Sequence, residues 1–302
     1  MGAGTSSCSL KVMTYNIEMK ADDDDGGWAG RNTSSVVSTI VDASPDVVGL
    51  QEDDDTWYKD GAFLGLIGGT NHLAGLETAG YTSTNFSGYS DERLNIYYKT
   101  AKFDLLEKGT KLFIDLSKEE GFKDVEPNYA EYHEYDTKKQ GRFFSYVVLK
   151  DKTSGAIVLV VNTHLHYTAK NTEFSDAVNT NLRAGQAKLL NAWMDSKLAQ
   201  YPNQIVVGDL NNTPGTTAVN ALGEGMEFAR NSAAIKGDTG GTLCSTSDYV
   251  RRDSYVFDHI AYRGVTARYY SVVNNMIDLV DGTLRYPSDH LPVVTQFICS
   301  AE

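Results

Sequence analysis

Short apolar runs that end on a polar residue recur along the chain. Between Ile205 and Pro214 the sequence reads Ile-Val-Val-Gly-Asp-Leu-Asn-Asn-Thr-Pro, an apolar stretch that stops at Gly208 and presents Asp209 and Asn211 at a turn. Residues i and i+2 of an extended segment face the same side, so this carboxylate and this amide can address one ligand. The same letters are also ordinary turn chemistry, because Asp and Asn bond their own backbone. Three further runs end in the same way. Leu10 to Glu18 is apolar and β-prone and delivers Asn16 and Glu18 on one side; Asp46 to Glu52 ends on Gln51 and Glu52; Ala156 to His166 ends on His164. The last stretch reads Ser288-Asp-His-Leu-Pro-Val-Val294.

Between these runs the periodicity is mixed. Trp28 to Val41 has helical spacing and is closed by Asp42-Ala-Ser-Pro45, after which the strand Asp46 to Leu50 follows. Leu94–Tyr98, Phe103–Leu106, Phe143–Leu149 and Ala156–Val161 read as strands, the last two joined by a hairpin turn at Lys150–Gly155. Asn181 to Ala199 carries Leu182, Leu189, Leu190, Trp193 and Leu198 at helical spacing until Tyr201-Pro202 stops it. The polar, tyrosine-rich stretch Asp115 to Gln140 has no clean period and reads as a surface loop. It is either a plain connection or a substrate-contacting segment in which Tyr129, Tyr132 and Tyr135 stack on bases or sugars.

Taken in order, Thr14-x-Asn16-Ile17, Gln51-Glu52, Asn162-Thr-His-Leu165, Gly208-Asp-Leu-Asn211 and Ser288-Asp-His290 span most of the chain. This succession resembles the endonuclease/exonuclease/phosphatase superfamily with the deoxyribonuclease I-like fold, in its secreted bacterial form. The resemblance runs from about Leu10 to Ile298. It implies an α/β fold, a four-layer α/β/β/α sandwich of two mostly antiparallel sheets, in one domain over residues 10–302. Residues 1–9 then form a disordered or expression-derived N-terminus.

Hydrolysis of a phosphate ester needs a cation against the phosphoryl oxygens, a positioned water and help for the leaving oxygen. Glu52 suits the cation, since Mg2+ prefers oxygen ligands and keeps waters; Mn2+ or Ca2+ are the alternatives. The resemblance adds Glu18 and Asp289 to the metal side and gives Asn16 a supporting, substrate-binding place. Asp209 serves as the base and Asn211 as an uncharged donor. Asp258, within Val256-Phe-Asp-His-Ile260, pairs with His290, where a carboxylate partner favours imidazolium. His164 is placed for the phosphate or the leaving oxygen. Arg142 is either a surface residue or, as in some relatives, a contact to the scissile phosphate. His72, His133, His166 and His259 receive no role.

Composition limits the substrate less than the reaction. The 302 residues carry a net charge of −13, which repels polyanions at long range but leaves a cation-assisted nuclease open. The chain is 41% hydrophobic, and no apolar run approaches the roughly 18 residues of a membrane span. Essential-looking groups spread from Asn16 to His290, so no division leaves a whole site in one half. The run Asp22–Asp25 reads as a solvated loop, and Glu52–Asp55 could be a solvated turn. Met1–Ser7 lacks the apolar segment of a signal peptide, so a secreted or cell-surface protein would have its export signal outside this chain; a cytoplasmic one remains open. A monomer is expected.

Cys8, Cys244 and Cys299 are too few for a disulfide scaffold. In the resembled fold the first and last strands are neighbours, which implies a Cys8–Cys299 bridge; buried free thiols are the alternative. The expected reaction is metal-dependent phosphodiester hydrolysis with nucleic acid as the favoured substrate. That preference rests on Asn212-Thr-Pro214, on Arg183-x-x-Gln186, and on the absence of the Gly-Asp-Leu-Asn-Tyr-Arg and Trp-Cys-Asp-Arg strings of inositol-phosphate phosphatases. A phospholipid or sugar-phosphate phosphoesterase, sphingomyelinase-like or phosphatase, is the alternative, and a non-catalytic binding module the last.

Overall fold

A computed structural model describes residues 7–18, 33–53, 73–86, 93–133, 141–167, 176–245, 250–278 and 284–300. In chain order the elements begin β1 (Ser7–Asn16), α1 (Thr33–Ala43), β2 (Val47–Gln51), α2 (Ala74–Thr78), β3 (Tyr81–Ser83), β4 (Ile96–Lys99), β5 (Phe103–Leu112), α3 (Phe113–Leu116) and α4 (Tyr129–His133). The middle comprises β6 (Phe143–Asp151), β7 (Ile157–His164), α5 (Asp176–Lys197), β8 (Gln204–Asp209), α6 (Thr217–Leu222), β9 (Glu227–Phe228) and α7 (Ala229–Ser232). The last part holds β10 (Ile235–Lys236), β11 (Leu243–Cys244), β12 (Arg251–Arg252), β13 (Asp258–Arg263), β14 (Thr266–Val272), β15 (Ile277–Asp278), β16 (Leu284–Arg285) and β17 (Val293–Ser300). None of the described helices is long and apolar enough to cross a membrane.

Two sheets dominate. One has seven strands in the order β10-β14-β17-β1-β2-β4-β3, the other six in the order β5-β6-β7-β8-β13-β9. Most neighbours are antiparallel; β1–β2, β7–β8 and the short β10–β14 pair are parallel. Parallel neighbours need a crossover, and α1 and α5 occupy the β1–β2 and β7–β8 connections. The sheets face each other through a core drawn from both, including Leu10, Val12, Val47, Val158, Val160, Ile205, Val207, Ile260 and Phe297. Outside the six-stranded sheet, Leu182, Leu189, Leu190 and Trp193 of α5 pack on Phe144, Val148, Val161 and Val206. Outside the other, Val36 and Ile40 of α1 cover Met13, Tyr15, Val48 and Leu50. The expected four-layer sandwich is the fold observed.

The inner face changes character along its length. On β1, inner residues run Leu10, Val12, Thr14, Asn16; on β2, Val47, Gly49, Gln51; on β7, Val158, Val160, Asn162, His164; on β8, Ile205, Val207, Asp209. β13 runs the opposite way and reads Tyr262, Ile260, Asp258 toward the same end. At period two each column shares one face. The sandwich therefore passes from hydrocarbon, through a layer of amides and a hydroxyl, to a layer of carboxylates, imidazoles and an amide at one end. Gly49 is required in that column, because a Cβ there would stand 2.5 Å from Val207 Cγ2 and 2.9 Å from Asn162 Cγ.

Several boundaries differ from the sequence reading. Residues 7–9, assigned to the tail, form the start of β1, where Ser7, Cys8 and Ser9 pair with Ser300, Cys299 and Ile298. Cys8 and Cys299 stand directly opposite, but as buried free thiols, with Cys299 Sγ 3.6 Å from the Cys8 carbonyl oxygen; the implied bridge is not formed. The Lys150–Gly155 hairpin is as expected, its turn held by Asp151 Oδ1 accepting from the Ser154 amide at 2.7 Å and the Thr153 amide at 3.1 Å. Leu198 falls beyond α5 and is exposed.

The stretch read as a surface loop begins with α3 and contains α4, and Tyr129 is fully buried, its ring against the backbone of Gly185 and its hydroxyl 3.2 Å from Gln186 Nε2. Residues 134–140 with Tyr135, the tail 1–6, the first residues of the expected Trp28 helix and Asp22–Asp25 lie outside the described residues.

The β11–β12 hairpin is pinned by a salt bridge in which Arg251 Nη2 donates to Asp238 Oδ1 at 2.7 Å. The guanidinium holds the Asp238 carboxyl down to about 2. A carboxyl lowered in the folded state contributes stability above its unfolded value near 3.9, and that contribution is lost as pH falls through about 2. Denaturant unfolding followed between pH 5 and pH 2 should therefore show a steeper acid loss in the parent than in Asp238→Asn. Parallel curves would refute this.

Candidate active site

The site forms where the inner columns turn polar. Asp209, the last residue of β8, is 1% exposed. Its Oδ1 accepts the Asn211 amide at 2.7 Å, a local turn bond that fixes the carboxylate. Its Oδ2 accepts from Asn16 Nδ2 at 3.1 Å and faces two imidazoles, His164 Nε2 at 3.5 Å and His290 Nε2 at 3.7 Å. β7 carries His164 into register with Asp209, and β13 places Asp258 directly opposite it. Four residues, from β1, β7, β13 and the Ser288–His290 segment, thus converge on the one carboxylate that ends β8.

Asn16 links this cluster to the acidic side. Its Nδ2 also donates to Glu52 Oε1 at 3.0 Å, so both amide hydrogens are used and the group is held between two carboxylates. Its Oδ1 accepts the Glu18 amide at 3.0 Å, and Glu18 Oε2 in turn accepts the Asp289 amide at 3.0 Å. Ser288 Oγ donates to the Asn16 carbonyl at 2.8 Å and accepts the His290 amide at 3.1 Å. Glu18 and Asn16 were expected on one strand face. β1 instead ends at Asn16 and Glu18 follows in a turn at φ 47°.

Backbone strain collects here. Five described residues other than glycine have positive φ, and three are Glu18, Glu52 (φ 55°) and Asn211 (φ 49°). Such conformations cost energy unless the surroundings enforce them, and they concentrate at functional sites.

His290 Nδ1 lies 2.8 Å from Asp258 Oδ2, with both groups buried. Burial alone would strip the imidazolium of its proton. The Asp258 carboxylate, assisted by Asp209 and Asp289, outweighs that and raises His290 well above the ordinary histidine range. Burial pushes the Asp258 carboxyl up as well, opposed by the imidazolium it faces. The pair therefore keeps one proton through neutral pH, carried by the more basic imidazole. Thr242 ties its two halves together: Oγ1 accepts the Phe257 and Asp258 amides at 2.9 and 3.1 Å, and its carbonyl accepts the Leu291 amide at 2.7 Å.

One set of groups among the described residues lies close enough together to hold a cation. One atom each of Asp209, Asp258 and His290 lies within 4.8 Å of the others. In that trio, though, the shortest contact is the His290–Asp258 hydrogen bond, and Asp258 has no solvent exposure. Glu52 and Glu18, both partly exposed, join this cluster through Asn16, and Asp289 joins it through Glu18.

Of the remaining candidates, Arg142 stands beside the cluster at the same sheet end. It is 2% exposed, with its guanidinium carbon 5.6 Å from the centre of the Tyr167 ring, so the surface alternative fails. Asn211 Nδ2 donates to the Leu165 carbonyl at 3.1 Å and locks the loops after β7 and β8 together. His166 and His259 are framework residues, His166 Nε2 lying 2.8 Å from Asn179 Oδ1 and His259 Nε2 lying 2.8 Å from the Asn212 carbonyl. Burial lowers the His259 pKa and keeps the ring neutral.

Sequence reasoning quoted Ser288, Gln51 and Asn162 within motifs but gave them no role, and it missed Thr242 and Asp53. The last was grouped with a solvated turn but is fully buried and accepts from Asn95 Nδ2 at 2.8 Å. Inner-face periodicity, Asn162 two before His164 and Thr14 two before Asn16, was the available signal for the amide layer.

Comparison with known proteins is consistent with this geometry. No curated protein matches significantly. Among solved structures, an endonuclease/exonuclease/phosphatase family protein from Bacteroides thetaiotaomicron has a TM-score of 0.73 at 20% identity, covering 98% of this chain and 100% of that one. The mannosyl-6-phosphatase Bt3783 of the same organism has a TM-score of 0.69 at 20% identity, covering 95% and 99%. The human Nocturnin catalytic domain with bound sulfate has a TM-score of 0.61 at 19% identity, covering 97% and 94%. At these identities the likeness speaks for the fold. A sequence model of the Endonuclease/Exonuclease/phosphatase family, however, matches residues 13–290, which takes in every one of the convergent groups, and the chain belongs to that family of phosphate-ester hydrolases.

Proposed function

We propose that the protein hydrolyses a phosphate ester with a divalent cation, Mg2+ by the chemistry of its donors, held beside Glu52 with Glu18 and Asp289. The observation that carries this reading is the buried carboxylate of Asp209, set between two imidazoles and an amide whose other hydrogen reaches Glu52. When bound, the cation neutralises phosphoryl oxygens and polarises the ester. Asp209 Oδ2 takes a proton from the attacking water, its orientation fixed by the Asn211 amide. His290, protonated through Asp258, stabilises negative charge developing on the phosphoryl group. His164 faces the same space and serves the leaving oxygen, and Arg142 and Tyr167 form the wall beyond it.

For the substrate we put a compact phosphate ester, such as a sugar phosphate, first. The preference for nucleic acid leaned in part on Arg183-x-x-Gln186, and the tyrosine-rich stretch offered a stacking surface for bases or sugars. Gln186 Oε1 accepts the His166 amide at 2.8 Å, Arg183 Nη1 lies 3.5 Å from the His166 carbonyl, and Tyr129 is core, so these residues brace the exit of β7. The charge of −13 and the fold shared with a mannosyl-6-phosphatase support the same choice. Nucleic acid is the second reading, supported by the Asn212-Thr213-Pro214 flank.

The test is a panel of mannose 6-phosphate, plasmid, single-stranded DNA, RNA, sphingomyelin and a phosphoinositide, each with Mg2+ and with chelator. Turnover of the sugar phosphate that chelator abolishes is expected. Undiminished turnover in chelator would rule the mechanism out, and metal-dependent cleavage of polynucleotide alone would select the second reading.

A further inference from the structure

Glu52 holds φ 55° at the end of β2, a conformation that a side-chain-bearing residue keeps only where its surroundings enforce it. Both of its neighbours are fully buried. On one side, Gln51 Nε2 donates to Asn162 Oδ1 at 2.6 Å and to Thr14 Oγ1 at 3.1 Å. On the other, Asp53 accepts from Asn95 Nδ2. Asn162 closes the circuit from the opposite sheet, its Nδ2 lying 2.7 Å from the Leu50 carbonyl and 3.2 Å from the Asn95 carbonyl. One amide of β7 thus grips β2 and the residue before β4 across the gap between the sheets, one layer beneath His164.

We propose that Asn162 and Gln51 are positioning residues for the cation side of the site. They clamp the backbone around Glu52 and hold it against the Asn16–Asp209 pair, so that the carboxylate is preorganised for a divalent ion. The argument has three parts. First, the bonds run between sheets, whereas the ladder of β2 pairs only with β1 and β4 and cannot fix Glu52 relative to β8. Second, the bonds use three side-chain amides, those of Gln51, Asn162 and Asn95, all buried, where a polar group is retained only if bonded and each bond is geometrically demanding. Third, Gly49 leaves the room that lets Asn162 reach Leu50. This inference rests on the cation-assisted reading above.

The test uses the full chain with Asn162→Leu and Gln51→Met, both close to the original volumes, and Val160→Ala as control, one layer down in the same strand within the hydrocarbon core. Mg2+ binding is read by calorimetry without substrate, and turnover is read as a function of Mg2+ concentration. Outer partners of metal ligands typically alter affinity by about 10- to 100-fold. We expect Mg2+ to bind about tenfold more weakly to both clamp variants, the half-saturating Mg2+ concentration to rise by the same factor, and kcat to recover at high Mg2+. Val160→Ala should lower the melting temperature and leave both Mg2+ values at those of the parent.

Parental Mg2+ affinity in the clamp variants, an equal shift in Val160→Ala, or a kcat loss that Mg2+ does not restore would each overturn the positioning role alone. If Asn162→Leu does not fold, Gln51→Met, which keeps the Asn162 bonds to the Leu50 and Asn95 carbonyls, decides the matter by the same readings. A parent that turns over in chelator would overturn the cation-assisted reading together with this one.

Discussion

Replacing Asp209 by alanine abolishes turnover and leaves the fold in place. The carboxylate receives two hydrogen bonds and faces two imidazoles, so its removal takes away the group at the centre of the cluster to which the proposed mechanism gives the proton of an attacking water. General-base contributions are about 10²–10⁴-fold, and the Asn211 loop loses the bond that fixes it, so kcat should fall by at least that range. The fold does not depend on it. Asp209 ends its strand, and the β8–β13 ladder below it is carried by backbone bonds over Val206 and Val207. Removing the charge also relieves repulsion toward Asp258, whose carboxyl Asp209 helps to raise. The melting temperature should stay level or rise, as is common when an active-site charge is removed. Steady-state turnover with thermal unfolding checks this, and a folded variant at parental turnover would defeat the assignment.

The second large effect falls on the Asp258–His290 pair. Truncating one partner of a buried ion pair leaves the other charge uncompensated and costs about 3–5 kcal/mol, so Asp258→Ala should lose both activity and a large part of its stability. Asp258→Asn is more informative. It removes the chief influence that raises His290, leaves burial to lower it, and so neutralises the imidazole near pH 7. Turnover should drop, and the alkaline limb of the pH profile should move to lower pH. The linkage follows in sign: a histidine whose folded pKa is raised contributes stability that is fully present below its unfolded value near 6.5 and is lost as pH rises through the folded value. The stability difference between parent and His290→Gln, from denaturant unfolding at pH 6 and in the alkaline range, should therefore be larger at pH 6. A difference that is constant or grows with pH would refute the ion-pair account.

How far the chain could be read in advance depended on the range of the interactions. The terminal polar residues Asn16, Glu52, His164, Asp209 and His290 were legible because an apolar run fixes the strand and period two fixes the face, which are local properties. The helices α1 and α5 were legible because apolar residues recur at helical spacing, but their role as crossovers was not. Tyr129 was not, because a tyrosine in a polar stretch looks exposed until Gly185 and Gln186 of a helix more than fifty residues away are seen to receive it. Arg142 likewise read equally as a surface residue or a phosphate contact, and Asp53 as part of a charged turn, until their long-range partners appeared.

By itself, the order of residues determined the strand ends, the family and the set of groups that can act on a phosphate ester, because these follow from alternation and short motifs. Only the tertiary structure decided which of those groups meet. The contacts between Asn16 and Asp209, between Gln51 and Asn162, and between Asp258 and His290 join residues 193, 111 and 32 positions apart. Their geometry is set by the packing of two sheets rather than by any local preference. The same packing placed an amide layer between the hydrocarbon core and the charged end of the sandwich, where buried polar groups must be bonded to be tolerated.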